Sequence, residues 1–184
     1  METAAVKFRA KDMAYIAVFT ALLAVCAWIS VPMPWGVSYT LQTMGVFLAV
    51  GVLGGKRGTL AVLVYLLLGA VGVPVFSGFR GGAAALLGTT GGYIAGFLFS
   101  ALVMWVMERL LGKKLTVLAL SMVVGLAVCY AFGTAWYMIV YTQSSGPVAL
   151  GTVLGWCVTP FILPDLVKIA LALLLTARLR PHVK

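Results

Sequence analysis

Few residues in this chain can do chemistry, and the most unusual stand together in Thr159-Pro160-Phe161-Ile162-Leu163-Pro164-Asp165-Leu166-Val167-Lys168. An acid and a base lie inside an apolar run. The sequence holds four acidic residues, and Asp165 is the one set deep among apolar neighbours. An ionisable group at the centre of a membrane helix costs about 2.5–3.5 kcal/mol or more, so such groups normally face a cavity or a partner. Asp165 and Lys168 are three residues apart, which puts both on one face of a helix. Pro164 suits a first helical turn, where its missing N–H costs nothing. Asp165 beside that N-terminus would be favoured by the helix dipole. Two readings are open: a self-contained ion pair that locks two helices, or the polar floor of a site for a solute.

The elements that must position this pair follow from composition. The 184 residues are 63% hydrophobic and 9% charged, with a mean hydropathy of +1.12. Soluble domains are about 45–50% apolar and about 25% charged. The chain therefore reads as an all-α integral membrane protein, a single domain over 1–184. A net charge of +9 would suit nucleic acid, but the cations sit in separate clusters between apolar spans, which argues for membrane lipid around the bundle and no nucleic acid. No cleavable signal-peptide pattern is present, and the first apolar stretch is long enough to remain as a span. Cys26, Cys129 and Cys157 are isolated in apolar or membrane-edge contexts, without the spacing of a zinc site or redox pair. They read as buried free thiols, and His182 as a solvated tail residue.

Six spans are expected, over 13–31, 39–54, 59–73, 93–111, 115–141 and 161–179, with outer loops at 32–38, 74–92 and 142–160. Small residues recur on the first: Ala10, Ala14, Ala17, Ala21 and Ala24. Ala17-x-x-x-Ala21 permits close helix approach, either within the bundle or against a separate membrane subunit. Thr40-Leu41-Gln42-Thr43 is a polar cluster at the outer end of the second span. Gly54-Gly55-Lys56-Arg57-Gly58 reads as a tight basic turn. The 74–92 loop is dense in glycine, which allows tight turns and close backbone approach. Its Ala83-Ala84-Ala85-Leu86-Leu87 suits a short re-entrant turn, tolerated at that depth only against protein or a cavity. Residues 148–158 read as a short helix at the outer boundary.

Orientation follows from the cations, because Lys and Arg mark cytoplasmic loops. Eleven of the thirteen lie in the N-terminal lead-in, the 2–3 and 4–5 turns and the C-terminal tail. Both termini are then cytoplasmic, in the cell membrane. The exceptions, Arg80 and Lys168, both fall on the outer side with Asp165, and a charge that breaks the pattern is a functional candidate. An Arg or Lys would hold a carboxylate through charge-assisted bonds, and an Asp carboxylate accepts N–H donors. The matching ligand is small, partly apolar, acidic at one end and amide-like at the other. Phe76, Phe79, Trp35 and Tyr93 could line such a pocket, although aromatics also collect at membrane interfaces. The chain carries no GxxxxGK[ST] phosphate loop, no His-Glu-x-x-His helix and no Gly-x-Ser-x-Gly elbow. It is not expected to be an enzyme, to use ATP itself, or to hold a catalytic residue, metal or cofactor.

Several segments, in order along nearly the whole chain, resemble the BioY family: Val37-Ser38-Tyr39-Thr40-Leu41-Gln42-Thr43-Met44-Gly45-Val46; Tyr65-Leu66-Leu67-Leu68-Gly69 with Gly72-Val73-Pro74-Val75-Phe76; Leu87-Gly88-Thr89-Thr90-Gly91-Gly92-Tyr93-Ile94-Ala95-Gly96-Phe97; and Pro160 through Lys168. Members of that family are the biotin-specific S components of energy-coupling factor (ECF) transporters. The resemblance implies a six-helix S-component fold and capture of biotin from outside. It also implies partners, namely a transmembrane coupling subunit, docked on the first helix at Ala14, Ala17 and Ala21, and two cytoplasmic ATPase subunits. It maps the family's ligand-contacting acid and lysine onto Asp165 and Lys168. Where the family commonly has Gly before the acid, this chain has Pro164. Arg80, Tyr93, Gln42, Thr43, Phe76 and Trp35 complete the expected binding set. Asp165 is assigned to the ureido N–H and Lys168 and Arg80 to the polar and carboxylate ends, or the reverse. The rival readings are an S component for another vitamin and a structural membrane subunit without a ligand.

Overall fold

The computed structural model describes residues 10–34 and 37–183. Its helices are α1 (Ala10–Trp28), α2 (Gln42–Leu53), α3 (Gly55–Ala70), α4 (Ala83–Leu87), α5 (Gly91–Leu111), α6 (Leu115–Ser145), α7 (Leu150–Cys157) and α8 (Thr159–Leu179). Between α1 and α2, the strands β1 (Ser30–Val31) and β2 (Tyr39–Thr40) pair antiparallel, Ser30 with Thr40 and Val31 with Tyr39. Among the described residues, four helical stretches are long and apolar enough to cross a membrane: Ala10–Trp28, Gly91–Leu111, Leu115–Ser145 and Leu150–His182.

The centre of the bundle is α2. Every residue from Gly45 to Leu53 is buried, as expected of a helix that is apolar all round. It packs against α1, α3, α5 and α8. Because lipid is as apolar as leucine, such helices associate through van der Waals packing and a few interhelical hydrogen bonds. Thr20 Oγ1 of α1 donates to Ala61 O of α3 at 3.1 Å, and Thr59 Oγ1 of α3 donates to Ala101 O of α5 at 3.2 Å.

The helix α8 has the reverse of a soluble helix's polarity. Phe161, Asp165, Lys168, Ile169, Ala172 and Thr176 form its buried face. Leu163, Leu166, Val167, Leu171 and Leu174 are exposed. The two charges thus point inward, the arrangement membrane depth demands.

Several boundaries differ from the sequence expectation. Pro164 is not in the first turn of its helix: α8 begins at Thr159, and Pro160 takes the first-turn place. Pro164 lies within the helix, so the carbonyl of Pro160 loses its helical N–H partner. Asp165 stands well inside the helix and is held by side chains rather than by the dipole. Residues 39 and 40 belong to β2, and α2 starts only at Gln42. Lys56 and Arg57 are not in a turn, since Gly54 alone, at φ 81°, separates α2 from α3. Lys and Arg are good helix formers and extend α3 to that point. The helix α6 runs on to Ser145, past the expected end of its span.

At the end of the bundle where α2 and α5 finish, Glu108 gathers three elements. It accepts the Gly55 N–H and lies 3.6 Å from Lys113 and 3.7 Å from Arg180. The opposite end, where α2 and α5 begin, is roofed by the 71–90 loop.

Candidate functional site

Under that roof lies a cavity of about 80 Å³. The α2 start supplies Gln42 and Thr43, and α5 supplies Tyr93, Ile94 and Phe97. Cys129 and Tyr130 come from α6, and Phe161, Asp165 and Lys168 from α8. The loop contributes Phe76, Ser77, Arg80 and Thr90.

Asp165 is 2% exposed and Lys168 4%, so neither charge is screened by bulk water. Lys168 Nζ donates to Asp165 Oδ1 at 2.7 Å. Thr43 Oγ1 donates to the same oxygen at 3.0 Å, and Tyr130 O–H donates to Oδ2 at 2.5 Å. A buried carboxylate with three donors has its charge compensated. Lys168 also lies 4.2 Å from the centroid of the Tyr39 ring, a cation–π contact strengthened by desolvation. Phe161 stacks on the same Tyr39 ring, with 6.0 Å between centroids.

The walls are fixed by close packing. A Cβ on Gly133 would come within 2.1 Å of the Tyr93 ring, so α6 lets that ring lie flat against its backbone. The Tyr93 hydroxyl is 3.1 Å from Thr134 Oγ1. A Cβ on Gly69 would come within 2.0 Å of the Phe76 ring, which α3 therefore admits only because it has glycine there. A hydrogen-bonded chain ties the wall to the roof. Thr40 Oγ1 donates to Gln42 Oε1 at 3.1 Å. Gln42 Nε2 donates to the Tyr65 hydroxyl at 2.7 Å, and Tyr65 O–H donates to Val75 O at 3.1 Å. Two tryptophans pin the roof's feet, Trp28 Nε1 to Pro74 O at 2.9 Å and Trp136 Nε1 to Gly88 O at 3.0 Å.

The ionisable lining adds to a net +1: Asp165 carries −1, and Lys168 and Arg80 carry +1 each. Arg80, exposed at the rim, donates from Nε to Ser77 O at 3.1 Å. Ser77 Oγ is buried without a hydrogen-bond partner, a condition that costs about 1–3 kcal/mol unless something fills it. The site suits a small, largely apolar monoanion that also carries donors and acceptors.

Of the residues expected from sequence, Asp165, Lys168, Arg80, Tyr93, Gln42, Thr43 and Phe76 all line this one cavity. Trp35 lies outside the described residues. Phe79 does not line it; its ring stacks on Trp28 at 5.1 Å. Tyr130, Ser77, Thr90 and Phe161 also line the cavity; an aromatic in an apolar span and a small hydroxyl residue in a loop carry no distinguishing pattern in the sequence. Ala14, Ala17 and Ala21 are exposed on α1, while Ala24 is turned into the bundle. Cys26, Cys129 and Cys157 are free and buried.

The fold and the cavity together define a polytopic membrane protein built to enclose a small polar-ended solute. The model of the BioY family matches residues 1–184, and the chain belongs to that family. It is 42% identical to the biotin transporter BioY of Thermotoga maritima over 163 residues, covering 89% of this chain and 92% of that one. It is 41% identical to a probable biotin transporter BioY of Pyrococcus horikoshii over 175 residues, 94% and 98% of the two chains. Among solved structures it resembles the S-component for biotin from an ECF-type ABC transporter. That match has a TM-score of 0.80 and 30% identity, covering 93% of this chain and 91% of the other.

Proposed function

We propose that this chain is the substrate-binding membrane subunit of an ECF-type transporter and that its substrate is biotin. It is a transport subunit and not an enzyme, and biotin is its cargo rather than a cofactor. The observation that carries the reading is the convergence of Asp165, Lys168 and Arg80 on one roofed, mostly apolar cavity of net +1. Biotin has the complementary chemistry, with a ureido ring of N–H donors and a C=O, an apolar thiophane ring and a valerate carboxylate. Asp165 accepts the ureido N–H, Arg80 and Lys168 take the carboxylate and remaining acceptor, and Tyr93, Phe76 and Phe161 cover the ring. Ser77 Oγ gains the partner it lacks.

In this reading α1, α2, α3, α5, α6 and α8 are the six crossings, while α4 is re-entrant and α7 lies at the boundary. The termini and the Glu108 end are cytoplasmic, because the cationic clusters lie there. The exposed Ala14-Ala17-Ala21 face of α1 receives a transmembrane coupling subunit, and two cytoplasmic ATPase subunits supply the energy that this chain has no motif to harvest. The test is uptake of labelled biotin into transport-deficient cells. Cells making the chain with a coupling subunit and ATPases should accumulate biotin above cells lacking the chain, and unlabelled biotin but not other vitamins should compete. Uptake that ignores the chain refutes the proposal.

A further inference from the structure

The end of the bundle away from Asp165 holds a second, larger cavity of about 640 Å³. Four cations line it, Lys56, Arg57, Arg109 and Lys113, with two acids, Asp12 and Glu108, a net of +2. Both acids are engaged within the protein. Arg57 Nη2 lies 2.9 Å from Asp12 Oδ1. Glu108 accepts the Gly55 N–H and faces Lys113 and Arg180. Among the described residues no carboxylate lies within ion-pair reach of Arg109. The first turn of α3, a helix of sixteen residues, opens here and adds the partial positive charge of its end.

Exposed apolar residues of α5 stand next in sequence to the lining residues Trp105 and Arg109. Leu110 and Val106, one turn apart on α5, are 76% and 52% exposed. A cationic hollow at the helix ends with an apolar track beside it matches a phospholipid, whose phosphate sits in the hollow and whose acyl chains follow the track. Among the described residues, the net +2 and the engaged acids disfavour a zwitterionic headgroup, which would need a free carboxylate for its ammonium. Basic pockets between membrane helices on the cytoplasmic side take acidic headgroups for this reason.

We propose that this cavity is a binding site for the headgroup of an anionic phospholipid. It is independent of the biotin cavity, and its test does not involve biotin. The purified full chain is titrated with phosphatidylglycerol, with phosphatidylcholine of the same acyl chains and with inorganic phosphate, and bound lipid is counted by native mass spectrometry. One phosphatidylglycerol per protein should be retained in preference to phosphatidylcholine. Arg109→Ala should weaken that retention about fivefold, with the thermal transition unchanged. If that variant does not fold, Arg109→Gln should show the same fivefold loss. Equal retention of the two lipids, unchanged retention in the variants, or displacement of lipid by inorganic phosphate overturns the inference. Variants that keep their lipid but no longer assemble with partner subunits overturn it too, and make the cavity a protein interface.

Discussion

Replacing Asp165 by Ala separates what the buried pair does for stability from what it does for binding. Asp165 accepts bonds from Lys168, Thr43 and Tyr130. Its removal leaves the Lys168 ammonium, 4% exposed, with only the Tyr39 ring for compensation. Removing one partner of a buried pair costs about 3–5 kcal/mol, because the other charge stays buried and uncompensated. For a chain of this size the apparent Tm should fall by roughly 6–20 °C. Replacing both partners with apolar groups of similar volume is commonly neutral or stabilising. Asp165→Ala/Lys168→Met removes the stranded charge but leaves the Thr43 and Tyr130 hydroxyls without their acceptor, so it should recover part of the lost Tm, yet bind no biotin. Thermal unfolding in detergent, followed by intrinsic fluorescence, reads the first effect, and equilibrium binding reads the second. A double variant as unstable as Asp165→Ala refutes the uncompensated-charge argument. A double variant that still binds biotin supports a structural ion pair and refutes the polar floor.

Three further outcomes follow from the packing. Gly133→Ala places a methyl where the Tyr93 ring lies; overpacking of this kind costs about 1–3 kcal/mol, and a displaced ring should lower both Tm and biotin affinity, measured on one preparation. Tyr65→Phe strips the Val75 carbonyl of its donor and Gln42 of its acceptor. Hydrogen exchange across residues 71–82 should quicken while α6 stays protected, and unchanged exchange contradicts the tie between wall and roof. Ala17→Trp puts a large ring on the exposed face of α1; purified protein should bind biotin normally, whereas cells with a complete transporter should lose uptake.

Much of the site could be read from the chain because its chemistry is out of place there. Asp165 and Lys168 stand out as charges within an apolar run, and Arg80 as a cation outside the basic clusters. The hydrophobic setting that makes such groups costly also makes them visible. Tyr130 offers no such contrast. Tyrosines are scattered through the apolar spans, and only the folded bundle brings this hydroxyl to Asp165. The orphaned hydroxyl of Ser77 is equally silent in a loop of small residues. Helix starts depart from the local pattern where two signals compete. Pro160 and Pro164 both qualify for a first turn, and the bend at Val158, with φ −124° and ψ −58°, selects Pro160. Thr40 reads as the opening of a span, yet pairing of Tyr39 with Val31 and Thr40 with Ser30 takes it into β2, a contact between segments that local pattern does not encode.

Calorimetric titration is the most direct test of whether the cavity around Asp165 holds biotin. The detergent-purified chain is titrated with biotin beside an Asp165→Asn variant, which keeps the volume and removes the charge. The native chain should bind tightly and one-to-one, and the variant should lose that binding while remaining folded. Tight binding that the variant retains would move the site away from Asp165, and no binding by the folded native chain would contradict the biotin assignment itself.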